Sequence, residues 1–92
     1  MHVTDKMDLV QDILTDCGGE AKAKFLEVST NFIKIYTRVP IDRVLPNRPV
    51  SFGTLFAKKM MNTEKVHSVR FLEADPKLGG CFILVSFHKE EK

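Results

Sequence analysis

The chain has little of what small-domain chemistry is usually built from. Among its 92 residues there are two cysteines, Cys17 and Cys81. Two thiols are too few for the disulfide framework of a small secreted module. Cys17 closes a helical pattern just before Gly18-Gly19, and Cys81 opens an apolar strand pattern. Both are therefore expected as buried thiols of a reducing compartment. No pair of Cys or His has zinc-type spacing. Gly79-Gly80 lies between two strand patterns rather than ahead of a helix, so it reads as a turn and not as a phosphate cradle. The longest apolar run, Cys81 to Val85, is far short of the roughly 20 residues a bilayer span needs. The opening Met1-His2-Val3-Thr4-Asp5 lacks the basic and apolar segments of a secretory leader. These absences predict a protein of the cytoplasm or nucleus, not secreted, with no membrane contact, cofactor or metal.

What is present suits one folded domain. Apolar residues make up 43% and charged residues 28% of the chain, too much apolar side chain for a disordered segment. The net charge of +2 hides a segregation. Residues 1–20 carry five acids (Asp5, Asp8, Asp12, Asp16, Glu20) against Lys6, a net of −4. Residues 21–70 carry ten bases against three acids, a net of +7, and residues 71–92 come to −1. Partners respond to such local fields more than to the total.

The apolar periodicity gives six elements. Thr4 or Asp5 is a candidate cap for a helix over 5–17, with Met7, Val10, Ile13, Leu14 and Cys17 as one stripe at three- and four-residue spacing. Gly18-Gly19 stops it. A hairpin over 23–39 follows. Its first strand, Lys24 to Ser29, alternates weakly. Its second, Phe32 to Val39, alternates cleanly: Ile33, Ile35, Thr37 and Val39 point one way, and Phe32, Lys34, Tyr36 and Arg38 the other. Ser29-Thr30-Asn31 is the turn. The loop 40–50 carries Pro40, Pro46 and Pro49, and Ile41, Val44 and Leu45 are expected to tack it down as a single helical turn. Ser51 caps a second helix over 51–62 with Phe52, Phe56 and Met60 as its spine. Strands over 66–73 and 81–88 form the second hairpin, joined by Asp75-Pro76-Lys77-Leu78-Gly79-Gly80, and a charged tail, 89–92, ends the chain.

The fold class is therefore α+β, with element order αββαββ: a four-stranded, mainly antiparallel sheet with both helices on one face. One compact solution is a circularly permuted ferredoxin-like arrangement, with strands in the order third, fourth, second, first. The last strand supports a central place for itself. Cys81, Ile83, Val85 and Phe87 face one way, and Phe82 and Leu84, also apolar, face the other. A strand apolar on both sides also suggests that something covers the open face there, with a second subunit as a natural candidate.

Two surfaces stand out. On the first helix Asp5, Asp8, Asp12 and Asp16, spaced 3, 4 and 4, cluster opposite the apolar stripe. Such a stack is most simply a solvated face. As a functional feature it is a docking stripe for the basic surface of another protein, or of a second copy. The second surface is the outward set Phe32, Lys34, Tyr36 and Arg38, where aromatic rings alternate with bases. Rings stack on nucleobases and cations meet phosphates. Lys22 and Lys24 extend this patch, and Arg43 and Arg48 flank it. Its plain alternative is an amphipathic strand with a half-wet face. Lys58-Lys59-Met60-Met61 reads chiefly as core methionine bordered by lysine stems. His67 and His88 lie on separate strands, each among apolar neighbours.

The first expectation is thus a non-catalytic protein–protein interaction module, a regulator, inhibitor or assembly component that self-associates, contacting its partner through Asp5, Asp8, Asp12 and Asp16. The alternative is a nucleic-acid-binding domain using Lys34, Tyr36, Arg38, Arg43 and Arg48. A third is a small enzyme whose site forms at a subunit interface, with His67 or His88 beside Cys81 or a carboxylate.

Overall fold

In a computed structural model, residues 3–18, 23–44, 49–72 and 80–89 are described. The chain runs α1 (Val3–Gly18), β1 (Lys24–Val28), β2 (Phe32–Thr37), α2 (Phe52–Met61), β3 (Val66–Leu72) and β4 (Cys81–Phe87). The six elements and their order are those expected. The expected features at Gly19, Lys22, Leu45, Pro46, Arg48 and 73–79, and the tail beyond Lys89, lie outside the described residues.

Local chemistry accounts for most of the boundaries. Ser51 caps α2: its backbone is extended, and its Oγ accepts from the Thr54 amide at 3.3 Å. The β1–β2 turn closes on Ser29, whose amide donates to the Phe32 carbonyl at 2.9 Å. Ser29 Oγ accepts from the Asn31 and Phe32 amides at 3.2 and 3.1 Å. α1 starts two residues earlier than the capping pattern suggests. Thr4 and Asp5 sit within its first turn, where an acid still favours the positive helix end.

The 40–50 loop corrects one expectation. Among its described residues, 40–44 and 49–50, no helix forms; one hydrogen-bonded turn closes where the Arg43 amide donates to the Pro40 carbonyl at 3.1 Å. Val44 is 75% exposed and makes an isolated antiparallel bridge with Ser51. Ile41 packs on the core, and Leu45 lies outside the described residues. The loop is held instead by backbone bonds to the start of α2, whose first amides need acceptors. Phe52 N donates to the Arg43 carbonyl and Gly53 N to the Ile41 carbonyl, each at 2.8 Å. Gly53 is required for that approach, since a Cβ there would stand 2.5 Å from Ile41 Cγ2.

The sheet order is β1-β2-β4-β3, with every neighbouring pair antiparallel. This is the strand order expected from sequence, with β4 central. The parity of burial then places the layers. Ile33, Ile35 and Thr37 on β2, and Cys81, Ile83, Val85 and Phe87 on β4, are buried. They form one cluster with Val10, Ile13, Leu14 and Cys17 of α1 and with Phe52, Leu55, Phe56 and Met60 of α2. Both helices therefore cover the same face of the sheet. Each fully buried apolar side chain of this set contributes about 1.5–3 kcal/mol of transfer free energy.

Two features of the core were not legible in the pattern. Lys6 lies on the apolar side of α1 and is only 3% exposed. Its ammonium donates to the Thr30 carbonyl and sits over the Phe87 ring. Burial of a lysine is tolerated when the head finds an acceptor and the stem packs. The second feature is a bulge in β1 between Phe25 and Glu27. It explains why β1 alternates weakly: the extra residue, Leu26, puts Lys24 and Glu27 on one face despite their odd spacing.

Candidate nucleic-acid interface

The open face of the sheet can be built row by row from the strand register, because directly paired residues project to the same side. The first row runs Lys24, Tyr36, Phe82 and Leu72 across β1, β2, β4 and β3. The second runs Glu27, Lys34, Leu84 and Arg70. The third holds Phe32, Ser86 and Ser68. Neighbouring strands lie about 4.8 Å apart, and successive rows, two residues along each strand, about 6.7 Å apart.

Physically, this face is mixed in a specific way. Tyr36, Phe82, Leu72, Leu84, Phe32 and Lys34 are half-buried, while Lys24, Glu27 and Arg70 are exposed. The Tyr36 and Phe82 rings pack with centroids 5.1 Å apart and planes at 50°, within the range of favourable aromatic pairs. The Tyr36 hydroxyl is buried and has no hydrogen-bond partner among the described residues. It lies against Gly80, where an added Cβ would stand 2.7 Å from Tyr36 Oη and overlap the Thr37 carbonyl oxygen. Gly80 is thus the backbone seat on which the tip of Tyr36 rests. Three cations against one carboxylate leave the face positive.

The sequence-derived candidates distribute unevenly over this geometry. Lys34 and Tyr36 stand in adjacent rows. Arg38 follows Thr37, the last paired residue of β2, and is exposed. Arg43 belongs elsewhere: its carbonyl accepts from Phe52 N, so it stands at the start of α2 and not in the strand rows. Arg48 lies outside the described residues. Lys24 joins the face as expected. Phe82 and Leu84 are expected on the open face from the two apolar sides of β4, but their pairing with Tyr36 and Lys34, and the places of Leu72 and Arg70, follow only from the β2–β4 and β3–β4 register, which no local pattern reveals.

The acidic candidates occupy the other side of the molecule. Asp5, Asp8, Asp12 and Asp16 are all exposed on α1. Asp16 Oδ2 is 3.9 Å from Lys59 Nζ on α2, and Asp5 is also engaged within the chain. Met60 is fully buried and Met61 half exposed, so only one of the two methionines is core.

His67 and His88 do meet, with ring centroids 5.1 Å apart in an edge-to-face arrangement. Cys81 stands at the opposite end of β4, roughly 20 Å along the strand from His88. Its thiol donates to the Val39 carbonyl at 3.5 Å, and burial pushes its pKa up to about 11. Among the described residues, no three His, Cys, Asp or Glu side chains are grouped so as to hold a metal ion. Among them too, no helix is long and apolar enough to cross a membrane.

No protein-family model matches this chain, and neither a curated protein nor a solved structure matches it significantly.

Proposed function

We propose that the open sheet face binds nucleic acid. The observation that supports this reading most is the register itself. It gathers Lys24, Lys34 and Arg70 from three strands around the Tyr36–Phe82 pair on the sheet face opposite the two helices. Cations at fixed spacing neutralise phosphates, and their counterion release supplies affinity that falls steeply with salt. The half-buried rings supply a sequence-tolerant apolar component. The test is binding of a labelled oligonucleotide across a salt series, comparing the wild type with Lys34→Glu/Arg70→Glu. The wild type should bind with a steep salt slope. The variant should lose most of that affinity and about two units of slope. Unaltered binding in the variant would remove this face from the function.

A second reading is favoured by the apolar part of the same surface. Phe82, Leu84 and Leu72 form a half-buried patch suited to a second copy of the chain. Sedimentation of the wild type and of Leu84→Glu separates the two. A dimer that Leu84→Glu dissociates selects self-association, and a monomer that binds oligonucleotide selects the first reading.

A further inference from the structure

Resting on the nucleic-acid reading, we infer that the ligand is a single strand and not a duplex, with bases stacked on the two aromatic rows and its backbone crossing the cationic row between them. The order of the rows carries the argument. Tyr36 and Phe82 lie in the first row and Phe32 in the third, and both Lys34 and Arg70 lie in the second. The aromatic rows are thus about 13 Å apart, four strand residues, with the cations midway. In the middle row Leu84 separates Lys34 from Arg70. The two cations therefore bracket a channel about two strand spacings wide, roughly 10 Å.

This arrangement cannot serve a duplex through its rings. An aromatic side chain stacks only on an exposed base face, and inside a duplex each base face is covered by its neighbours, about 3.4 Å away along either strand. Two stacking stations about 13 Å apart demand bases splayed out of a helical stack, which an unpaired strand can offer. Groove reading needs a protruding helix or a two-stranded ribbon. Here both helices are packed behind the sheet, and the candidate residues lie in strand rows on its face. Glu27, beside Lys34 in the second row, repels phosphate at the β1 side. It favours a path over Leu84 towards Arg70, with the backbone held between the two cations.

The experiment is fluorescence anisotropy with the full chain and two probes of one sequence, a single strand of about 12 nucleotides and the same strand annealed to its complement. Each probe is titrated against the wild type, Phe82→Leu, Phe32→Leu and Tyr36→Phe, with thermal melting of every variant. The single strand should bind at least about tenfold tighter than the duplex. Phe82→Leu and Phe32→Leu should each lose about tenfold on the single strand, and Tyr36→Phe, which keeps the ring, should match the wild type. Testing Phe32 and Phe82 separately keeps the result decisive if one of the variants fails to fold. Equal affinity for both probes overturns the single-strand inference and leaves the nucleic-acid reading standing. So does a single-strand preference that survives the loss of both phenylalanines. Binding of neither probe overturns both.

Discussion

The ammonium of Lys6 stands 5.2 Å from the centroid of the Phe87 ring, within the layer where α1 meets the sheet. The same ammonium donates to the Thr30 carbonyl in the β1–β2 turn. One side chain therefore ties the first helix to both the hairpin turn and the end of the central strand. Lys6→Ala removes the packed stem, the hydrogen bond and the cation–π contact together, and should destabilise the fold by about 2 kcal/mol. Lys6→Met keeps the stem volume and should cost less, so the difference between the two reports on the ammonium. Urea denaturation measures both. Midpoints for both variants indistinguishable from wild type would mean that Lys6 is merely enclosed and not structural.

The contrast between Lys6 and Lys34 shows where sequence reading stops. Lys34 alternates with Ile33 and Ile35, so its side of the strand follows from a period of two. Lys6 sits among the apolar positions of α1, and its burial is tolerable because of the distant groups that meet its ammonium, the Thr30 carbonyl, 24 residues away, and the Phe87 ring. Local periodicity places a residue on a face. It does not say which distant group completes it. The same limit governs the candidate site. Tyr36 is legible as outward-facing, and β4 as central from its two apolar sides. Their meeting at Phe82 depends on register between strands some 45 residues apart in sequence, set by packing of the whole core. The bulge at Leu26 and the exposure of Val44 escaped for the same reason. A strand pattern cannot show an inserted residue, and an apolar side chain in a loop gives no sign of whether the core has room for it.

Gly53 offers a test of how the 40–44 segment is seated. Gly53→Ala gains about 1 kcal/mol of helix propensity, but its Cβ must enter the 2.5 Å gap to Ile41 Cγ2. Overpacking of that kind costs about 1–3 kcal/mol. The substitution should therefore be destabilising on balance. In an Ile41→Ala background, which removes Cγ2, its cost should shrink or change sign. A double-mutant cycle measures that coupling. Strict additivity would show that Ile41 Cγ2 is not what opposes the added Cβ.

Cys81 gives a prediction in pH. Its thiol is buried and hydrogen-bonded to the Val39 carbonyl, and its pKa is raised from 9.0 to about 11 by burial. A group whose folded pKa lies above its unfolded value binds its proton more tightly in the native state. Its contribution to stability is present below pH 9 and is lost as the pH rises from about 9 through 11. The Cys81→Ala variant should show a flatter fall in stability over that window than the wild type. At pH 8 the native thiol should resist iodoacetamide and react only on unfolding, because the thiolate is the nucleophile. Rapid native-state alkylation of Cys81 would contradict both the burial and the direction of the shift.

The acidic face of α1 and the basic face of the sheet make opposite predictions for one variant, Asp8→Lys/Asp12→Lys. Both residues are exposed, so the double reversal should leave the fold within about 0.5 kcal/mol of wild type. If the sheet face binds nucleic acid, these positions lie behind it, across the helical layer. Reversing them raises the net charge by four, from +2, without touching a stacking ring. Affinity for an oligonucleotide should then hold or rise modestly, with the gain confined to low salt, where charges farther apart than a Debye length of about 10 Å at 0.1 M still act. If the acidic stripe is instead the docking surface for a basic protein, the same variant abolishes that contact while the melting curve stays put. Anisotropy with the oligonucleotide, run beside calorimetric melting, tests the outcome expected for the sheet face. A folded variant that loses oligonucleotide affinity would show that α1, and not the sheet, carries the interaction.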